Sequence, residues 1–394
     1  MRKLLILPGA CNAVGGTVVT LSLLIQGFEQ LKQAESLCVL VQADSVMEKY
    51  LLQAGQGAYL KSIAANSQSE FCTKALKWVN QQPTDYPLLL DNCVDRRLQL
   101  ILLWASPRLR WSGRQIFHFF HDLALSYNYA GYLLRKLMFA SLAPVGICNS
   151  NFTAQHVRQF VSNIRGVMYQ PVATESFQSQ VKSHPPSELQ PILESGAKII
   201  LTPSRINQPH SIGDKNLRAL IPVLAHLHAS GHKFHGVVIG QDLSPNQIYT
   251  QELLKSAKNA GVADYFTVLP PTLAIQNYYN YADIVVSLAP REPFGRIIVE
   301  AIAFGVPVVG SCTGGIGEIL SHFAPEWMVD PHDPKAVCEA IIRISNHQNT
   351  SEVLTQAKNW VMQNCSVSKY TQQMMQITEL ISINTDEKEL NKVY

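Results

Sequence analysis

Short runs of consecutive apolar residues alternate along this chain with longer stretches in which apolar residues recur every three or four positions. Lys3 to Leu7, Ser36 to Val41, Pro87 to Leu90, Ile116 to Phe120 and Pro144 to Cys148 read as buried strands. Between them lie helical patterns, one carrying Leu21, Leu24, Ile25, Phe28 and Leu31 on a single face and another running from Asp44 to Ala54. This alternation predicts an α/β fold with a parallel sheet covered on both faces. A second series follows, with strands near Lys198 to Pro203, Phe234 to Ile239, Tyr265 to Leu269, Asp283 to Leu288 and Val306 to Gly310. Pro171, Pro185, Pro186 and Pro191 stand among serines and glutamines between the two series, the composition of a linker. The expected domains are therefore residues 1–175 and 176–365, and no close sequence repeat relates them.

Composition changes this picture little. With 394 residues, 47% of them hydrophobic and 15% charged, the chain can bury two cores. A net charge of +3 is too small to imply a nucleic-acid partner. Eight cysteines are scattered without a CxxC pair, which indicates neither zinc nor a disulfide framework and makes a reducing cytoplasm the default expectation. Arg2 and Lys3 precede an apolar run too short for a signal peptide, and no run reaches the ~18 residues of a spanning helix.

The chemistry concentrates in the stretch EPFGRIIVE, where Glu292 and Glu300 stand eight positions apart across a loop-to-helix junction. Pro293 biases Glu292 towards an extended conformation, and Gly295 opens a run from Ile297 to Phe304 suited to a short buried helix. Glu292 thus stands before a helix N-terminus, where main-chain N–H groups favour anionic or hydroxylic ligand atoms. Glu300 is embedded among Ile298, Val299, Ala301 and Ile302, and a carboxylate in such company needs hydrogen-bond donors. The vicinal diol of a nucleotide ribose supplies two, so a sugar nucleotide fits the pair. Gly305 and Pro307 end the helix, and Thr313, Gly314 and Gly315 form a second turn whose small residues would let main-chain N–H groups approach a phosphate.

The segment EPFGRIIVEAIAFGVPVVGSCTGGIGEIL resembles the nucleotide-sugar signature of the family-4 retaining glycosyltransferases, also called group 1. That resemblance implies the GT-B fold: two doubly wound Rossmann-like domains facing across a cleft, with a C-terminal helix, residues 366–394, returning to the first domain. It implies a metal-independent retaining transfer from a nucleoside-diphosphate sugar to a sugar, lipid-linked or small-molecule acceptor, in the synthesis of polysaccharide, glycolipid or glycoconjugate. No cofactor is implied beyond the donor substrate. Phe294, Gly295, Glu300, Thr313, Gly314 and Gly315 are then donor-binding residues, and Glu292 meets the sugar.

Four further positions match the family more loosely. The glycine loop at Gly15 and Gly16 approaches the donor diphosphate in the family, although a tight turn packing a helix on its strand explains the same residues, and the spacing is not GxGxxG. His121 ends the strand in FFHD, where a family histidine contacts the transferred sugar. The alternative is a strand-end histidine satisfied by backbone groups. Arg205 and Lys215 resemble the arginine and lysine that grip the leaving diphosphate, with Lys215 at a longer spacing than the family's and expected to open a helix. Asn149 to Phe152 also look like the family pattern, and Asn151 as a helix N-cap accounts for them equally. His118 and His121 lie three apart on a strand and cannot share a metal, and His226, His228, His232 and His235 read as solvated.

Two other enzyme and binding classes share the carboxylates and cleft: a GT-B-like sugar-nucleotide epimerase, and a non-catalytic nucleotide-sugar-binding subunit. Helical spacing would set Glu292 and Glu300 about 12 Å apart along the backbone, beyond the ~5 to 9.5 Å between the carboxyl groups of glycosidases. The stretch Arg96 to Arg114 mixes five arginines with Trp104 and Trp111, a combination suited to an anionic or lipid-headgroup surface at the inner face of a membrane as well as to a solvated helix.

Overall fold

The computed structural model describes residues 2–12, 15–173, 184–272, 274–346 and 349–381. The chain divides into two compact units, one comprising Met1–Pro171 with Ser366–Tyr394 and the other Val172–Cys365. Much of the expected linker, residues 174–183, and the tail from Asn384 lie outside the described residues.

The first unit holds strands β1 (Leu4–Pro8), β2 (Leu37–Gln42), β3 (Leu60–Ile63), β4 (Leu88–Asp91), β5 (Ile116–Phe120), β6 (Val145–Cys148) and β7 (Ile164–Val167). They form one parallel sheet in the order β3-β2-β1-β4-β5-β6-β7. Its helices are α1 (Gly16–Gln30), α2 (Val46–Gln53), α3 (Gln68–Val79), α4 (Arg96–Trp111), α5 (Tyr129–Leu142) and α6 (Asn151–Val157). Every residue of β1, β4 and β5 is buried. Successive side chains of a strand point to opposite faces, so both faces of the central sheet are covered, and continuous apolar runs such as LLILP follow from that.

The second unit contains β8 (Lys198–Pro203), β9 (Phe234–Ile239), β10 (Phe266–Leu269), β11 (Ile284–Ser287), β12 (Val308–Ser311) and β13 (Met328–Val329), parallel in the order β10-β9-β8-β11-β12-β13. Helices α7 (Gln190–Glu194), α8 (Leu220–Ala229), α9 (Ile248–Asn259), α10 (Gln276–Tyr279), α11 (Arg296–Ala303), α12 (Gly314–Leu320), α13 (Pro334–Asn346) and α14 (Thr350–Asn364) complete it. Edge strands β3, β7 and β13 are absent from the apolar reading of the sequence. They are short, and β3 (LKSI) has no buried residue.

The closing helix α15 (Val367–Ile377) belongs to the first unit, with Tyr370, Met374 and Met375 in its core. A β-carbon on Gly27 would lie 1.9 Å from Thr371 Oγ1, so α1 and α15 approach as closely as glycine permits. Just beyond α15, Glu379 is tied to the rest of the unit: its carboxylate accepts from Arg165 at 2.7 Å and its carbonyl from Arg2 at 2.8 Å.

In each sheet the strand order reverses once, between β1 and β4 and between β8 and β11. Loops leaving the carboxyl ends of strands beside such a reversal are where open α/β sheets bind ligands. Among the sequence candidates, Gly15, Arg205, Lys215 and Glu292 lie on those loops, whereas His121 and Thr313 follow the next strands, β5 and β12.

Candidate functional site

In the second unit Arg205 follows β8, Glu292 follows β11, and Thr313 to Gly315 follow β12. The loops after β11 and β12 are packed into one another. Gly315 N–H donates to Glu292 C=O at 2.7 Å and Thr313 Oγ1 to Pro290 C=O at 2.8 Å. A β-carbon on Gly315 would sit 2.5 Å from Pro293 C=O, and one on Gly314, at φ +72°, 2.9 Å from Glu292 C=O. The glycines therefore let two loops touch, and the Gly315 N–H expected to face a phosphate is spent within the protein. Gly295 caps α11 at φ +94°, a left-handed conformation that favours glycine, and Phe294 beside it is buried, so its part in binding a ligand would fall to its main chain.

The two glutamates each hold a cation. Lys215 Nζ lies 2.6 Å from Glu292 Oε2, the side chains 18% and 20% exposed. Arg296 Nε donates to Glu300 Oε1 at 2.6 Å and Tyr279 O–H to Oε2 at 3.1 Å. Glu300 thus draws its two donors from its own helix and from α10. Tyr279 is buried, which together with the neighbouring Glu300 charge pushes its hydroxyl well above its ordinary pKa. A carboxylate has about four acceptor positions, so these bonds leave capacity for a ligand hydroxyl.

Lys215 lies in the loop ahead of the 3-10 turn Leu217–Ala219 rather than opening a helix. Its position is set by Asn216, a left-handed residue (φ 54°) whose buried amide donates to Leu288 C=O and Pro331 C=O, both at 3.1 Å. On the other side, Asp214 accepts from Arg218 at 2.8 Å and from the Asn216 and His210 N–H groups. Burial raises the Asp214 carboxyl, and those hydrogen bonds outweigh it, leaving the pKa below its ordinary value. Arg205 is exposed, and its side chain has no hydrogen bond or ion pair among the described residues. The loop carrying it is packed on Gly240, where a β-carbon would overlap Ser204 C=O at 1.7 Å.

In the first unit His121 ends β5 with both ring nitrogens engaged. The Gln170 amide donates to Nδ1 at 2.9 Å, which leaves the ring proton on Nε2 to donate to Asp91 Oδ1 at 2.7 Å. Its N–H donates to Asn92 Oδ1 at 3.1 Å, and Asn149 donates to its carbonyl at 3.1 Å. The expected contact of this imidazole with a transferred sugar meets a ring already held on both sides and only 6% exposed. Asn149 is thus explained by His121, and the N-cap of α6 is Ser150, whose Oγ accepts from Thr153 N–H at 2.9 Å, rather than Asn151. Gly15 caps α1 in an extended conformation (φ 176°) that any residue adopts, and a β-carbon there would meet nothing within 4 Å. Nothing among the described residues of the unit demands glycine at 15. Gly16 is the first residue of α1.

The remaining histidines differ from expectation in part. His235 is buried in β9 rather than solvated, with its Nε2 2.8 Å from Thr267 Oγ1, and His228 stacks on Tyr265 at 3.7 Å. Among the described residues no group of three or more His, Cys, Asp or Glu side chains could hold a metal ion.

Two Rossmann-like parallel sheets with binding loops at their strand-order reversals define a class of α/β protein, and the comparisons narrow it. The family model of group 1 glycosyl transferases matches residues 192–360. That stretch of the second unit is thus similar to the group 1 glycosyl transferases. A D-inositol 3-phosphate glycosyltransferase of Mycolicibacterium vanbaalenii is 32% identical over 146 residues, 36% of this chain and 32% of that protein. An N-acetyl-alpha-D-glucosaminyl L-malate synthase of Bacillus anthracis is 27% identical over 25% of this chain and 27% of its own length. The chain thus matches about a third or less of the length of these relatives. Over nearly the whole chain the fold is that of solved GT-B glycosyltransferases. HepE of Anabaena, solved in complex with UDP, superposes with TM-score 0.75 at 20% identity over 96% of this chain and 100% of that one. Sucrose-phosphate synthase of Thermosynechococcus elongatus gives 0.70 at 16% identity over 96% and 99%.

Proposed function

We propose that this chain is a retaining glycosyltransferase that moves a sugar from a nucleoside-diphosphate sugar to a sugar, lipid-linked or small-molecule acceptor, without a metal ion. The observation that carries the reading is the junction at α11. Two carboxylates lie eight residues apart after β11, a strand beside the strand-order reversal, one on the loop and one within α11, and Arg205, on the loop after the neighbouring β8, has no side-chain partner among the described residues. In the transfer, the bond from the anomeric carbon to the diphosphate oxygen breaks, a bond to the acceptor oxygen forms on the same face, and the acceptor proton passes to the departing phosphate. Negative charge grows on that phosphate, so preorganised cations lower the barrier. Arg205 supplies one, and Lys215 a second, set between Glu292 and the leaving group. Main-chain N–H groups of the first turn of α1, at Gly15 and Gly16, are suited to an anion. Glu292 accepts hydrogen bonds from the sugar hydroxyls and Glu300 from the ribose diol. His121 acts as a positioning residue that fixes the loop ends after β4 and β5.

HepE is also solved with UDP-glucose, which makes uridine sugar nucleotides the first donors to test. The test is a panel of sugar nucleotides screened for thermal stabilisation, followed by product analysis with candidate acceptors. A donor that raises the melting temperature and yields a glycoside of retained anomeric configuration is expected. An inverted product, a sugar changed without an acceptor, or stabilisation by no sugar nucleotide would overturn the reading.

A further inference from the structure

Helices α4 and α5 lie side by side, with Ser106 of one hydrogen-bonded to Ser141 of the other and Arg110 donating to Ser141 C=O at 3.4 Å. Leu98, Leu102 and Leu109 of α4 and Met138, Phe139 and Leu142 of α5 are buried. The outward positions are not the polar set expected of a solvated helix. Trp104 is 85% exposed and Trp111 87%, and Leu100, Leu133 and Leu137 stand out with them. Tyr127 and Tyr129, 82% and 73% exposed, flank the start of α5. Large apolar side chains exposed together on two packed helices, rather than scattered singly, mark a candidate interaction site.

The charge around it is mainly positive. From Asp95 to Ala143 the sequence contains Arg96, Arg97, Arg108, Arg110, Arg114, Arg135 and Lys136 against two carboxylates, Asp95, which caps α4, and Asp122. Arg114 and Arg135 are buried and spend their guanidinium groups on main-chain carbonyls, such as Val79 and Leu125. The other five cations are exposed. Helix α3, packed beside α4, adds Lys77 and a Glu70 already paired with Lys74 at 2.7 Å. Among the described residues no helix is long and apolar enough to cross a membrane. Exposed tryptophan and tyrosine rings ringed by arginine fit the headgroup region of a bilayer, where the rings enter the interface and the cations meet anionic lipid.

We infer that the outer face of α4 and α5 docks on an anionic membrane surface. This inference is independent of the proposed transfer reaction. A membrane would give the chain a lipid-linked acceptor at its doorstep, but docking stands or falls without catalysis.

Vesicle sedimentation tests it with the full chain. Phosphatidylglycerol-containing vesicles should carry the protein down, pure phosphatidylcholine vesicles should not, and salt raised to about 0.5 M should release it. The double variant Trp104→Ser with Trp111→Ser should weaken the partition by on the order of tenfold or more, since two indoles lose their buried area. Arg108→Glu with Arg110→Glu should do likewise. Lys255→Glu with Lys258→Glu, the same change of charge on exposed positions of α9 in the other unit, should leave binding intact. Melting temperatures of all three should stay at the wild-type value. Binding indifferent to lipid charge and salt, or an equal loss in the α9 variant, overturns the inference. So does light scattering that shows a dimer broken by the tryptophan variant in a protein that ignores vesicles, because the face would then join two copies of the chain.

Discussion

Polar clusters stand at the ends of β5 and β11, and they differ in what they leave open. At the end of β5 the groups of His121 close on the protein: it is held by Asp91 and Gln170 through its ring and by Asn92 and Asn149 through its main chain, and only the buried Asn149 Oδ1 lacks a partner among the described residues. At the end of β11 each carboxylate holds one cation, stays close to one-fifth exposed, and keeps acceptor positions unused. A buried ring held at both nitrogens has its geometry fixed, because breaking either bond leaves a buried group unpaired. An ion pair with spare valence can take a ligand without losing what holds it. The first cluster therefore frames its loops, and the second has the spare valence that the proposed substrate contacts require.

The largest effect is expected at Glu292. Glu292→Gln keeps the shape while removing the charge beside the sugar, and transfer measured by initial rates should fall by on the order of 100-fold. A retained rate would place the sugar elsewhere. Arg205→Ala sharpens the contrast between a free cation and a paired one. Because its guanidinium has no internal partner among the described residues, the variant should keep its melting temperature while turnover falls by about tenfold or more. It should lower kcat more than it raises the donor KM. A rise in KM alone would assign Arg205 to ground-state binding.

A smaller effect tests the buried frame through acid stability. Burial pushes His118, beside the His121 cluster, from 6.5 down to about 3, and pushes His235 in the second unit down to about 4. Between those values and 6.5 the unfolded chain binds a proton that the folded chain does not, so stability falls as pH drops below about 6.5. Each histidine contributes at most about 1.4 kcal/mol per pH unit to that slope. His118→Phe, placed against Phe120 and Phe139 at 4.1 and 5.2 Å between centroids, should make the slope shallower in urea unfolding at a series of pH values. An unchanged slope would mean that His118 is not buried neutral.

Which parts of this were legible in the sequence follows from where the information lies. Strands such as Leu4–Pro8 and Ile116–Phe120 are buried on both faces and announce themselves as apolar runs, whereas Leu60–Ile63 at a sheet edge offers LKSI and does not. Glu292, Glu300, Arg205 and the glycine turns stand out as residue types at turns after strands. Their partners do not. Tyr279 reaches Glu300 from 21 residues away and Lys215 reaches Glu292 from 77, separations over which no local pattern operates. Gly314 and Gly315 were visible as small residues, yet what makes them small is the loop of Glu292 lying against them. Asn216, buried in a polar loop, gave no periodic signal at all.

The central claim is that Glu300 meets the nucleotide while Glu292 meets the sugar, and calorimetric titration of UDP into Glu300→Ala and Glu292→Gln tests it most directly. Loss of one charge-assisted hydrogen-bonding group should cost about 1.5 to 3 kcal/mol, so UDP should bind Glu300→Ala roughly 10- to 100-fold more weakly than wild type. Glu300→Ala also strips Tyr279 of its acceptor, so Glu300→Gln, which retains one, and the melting temperature of each variant separate binding from folding. UDP should bind Glu292→Gln almost as it binds the wild type. Unchanged affinity in a folded Glu300→Ala, or an equal loss in both variants, would contradict the division of labour.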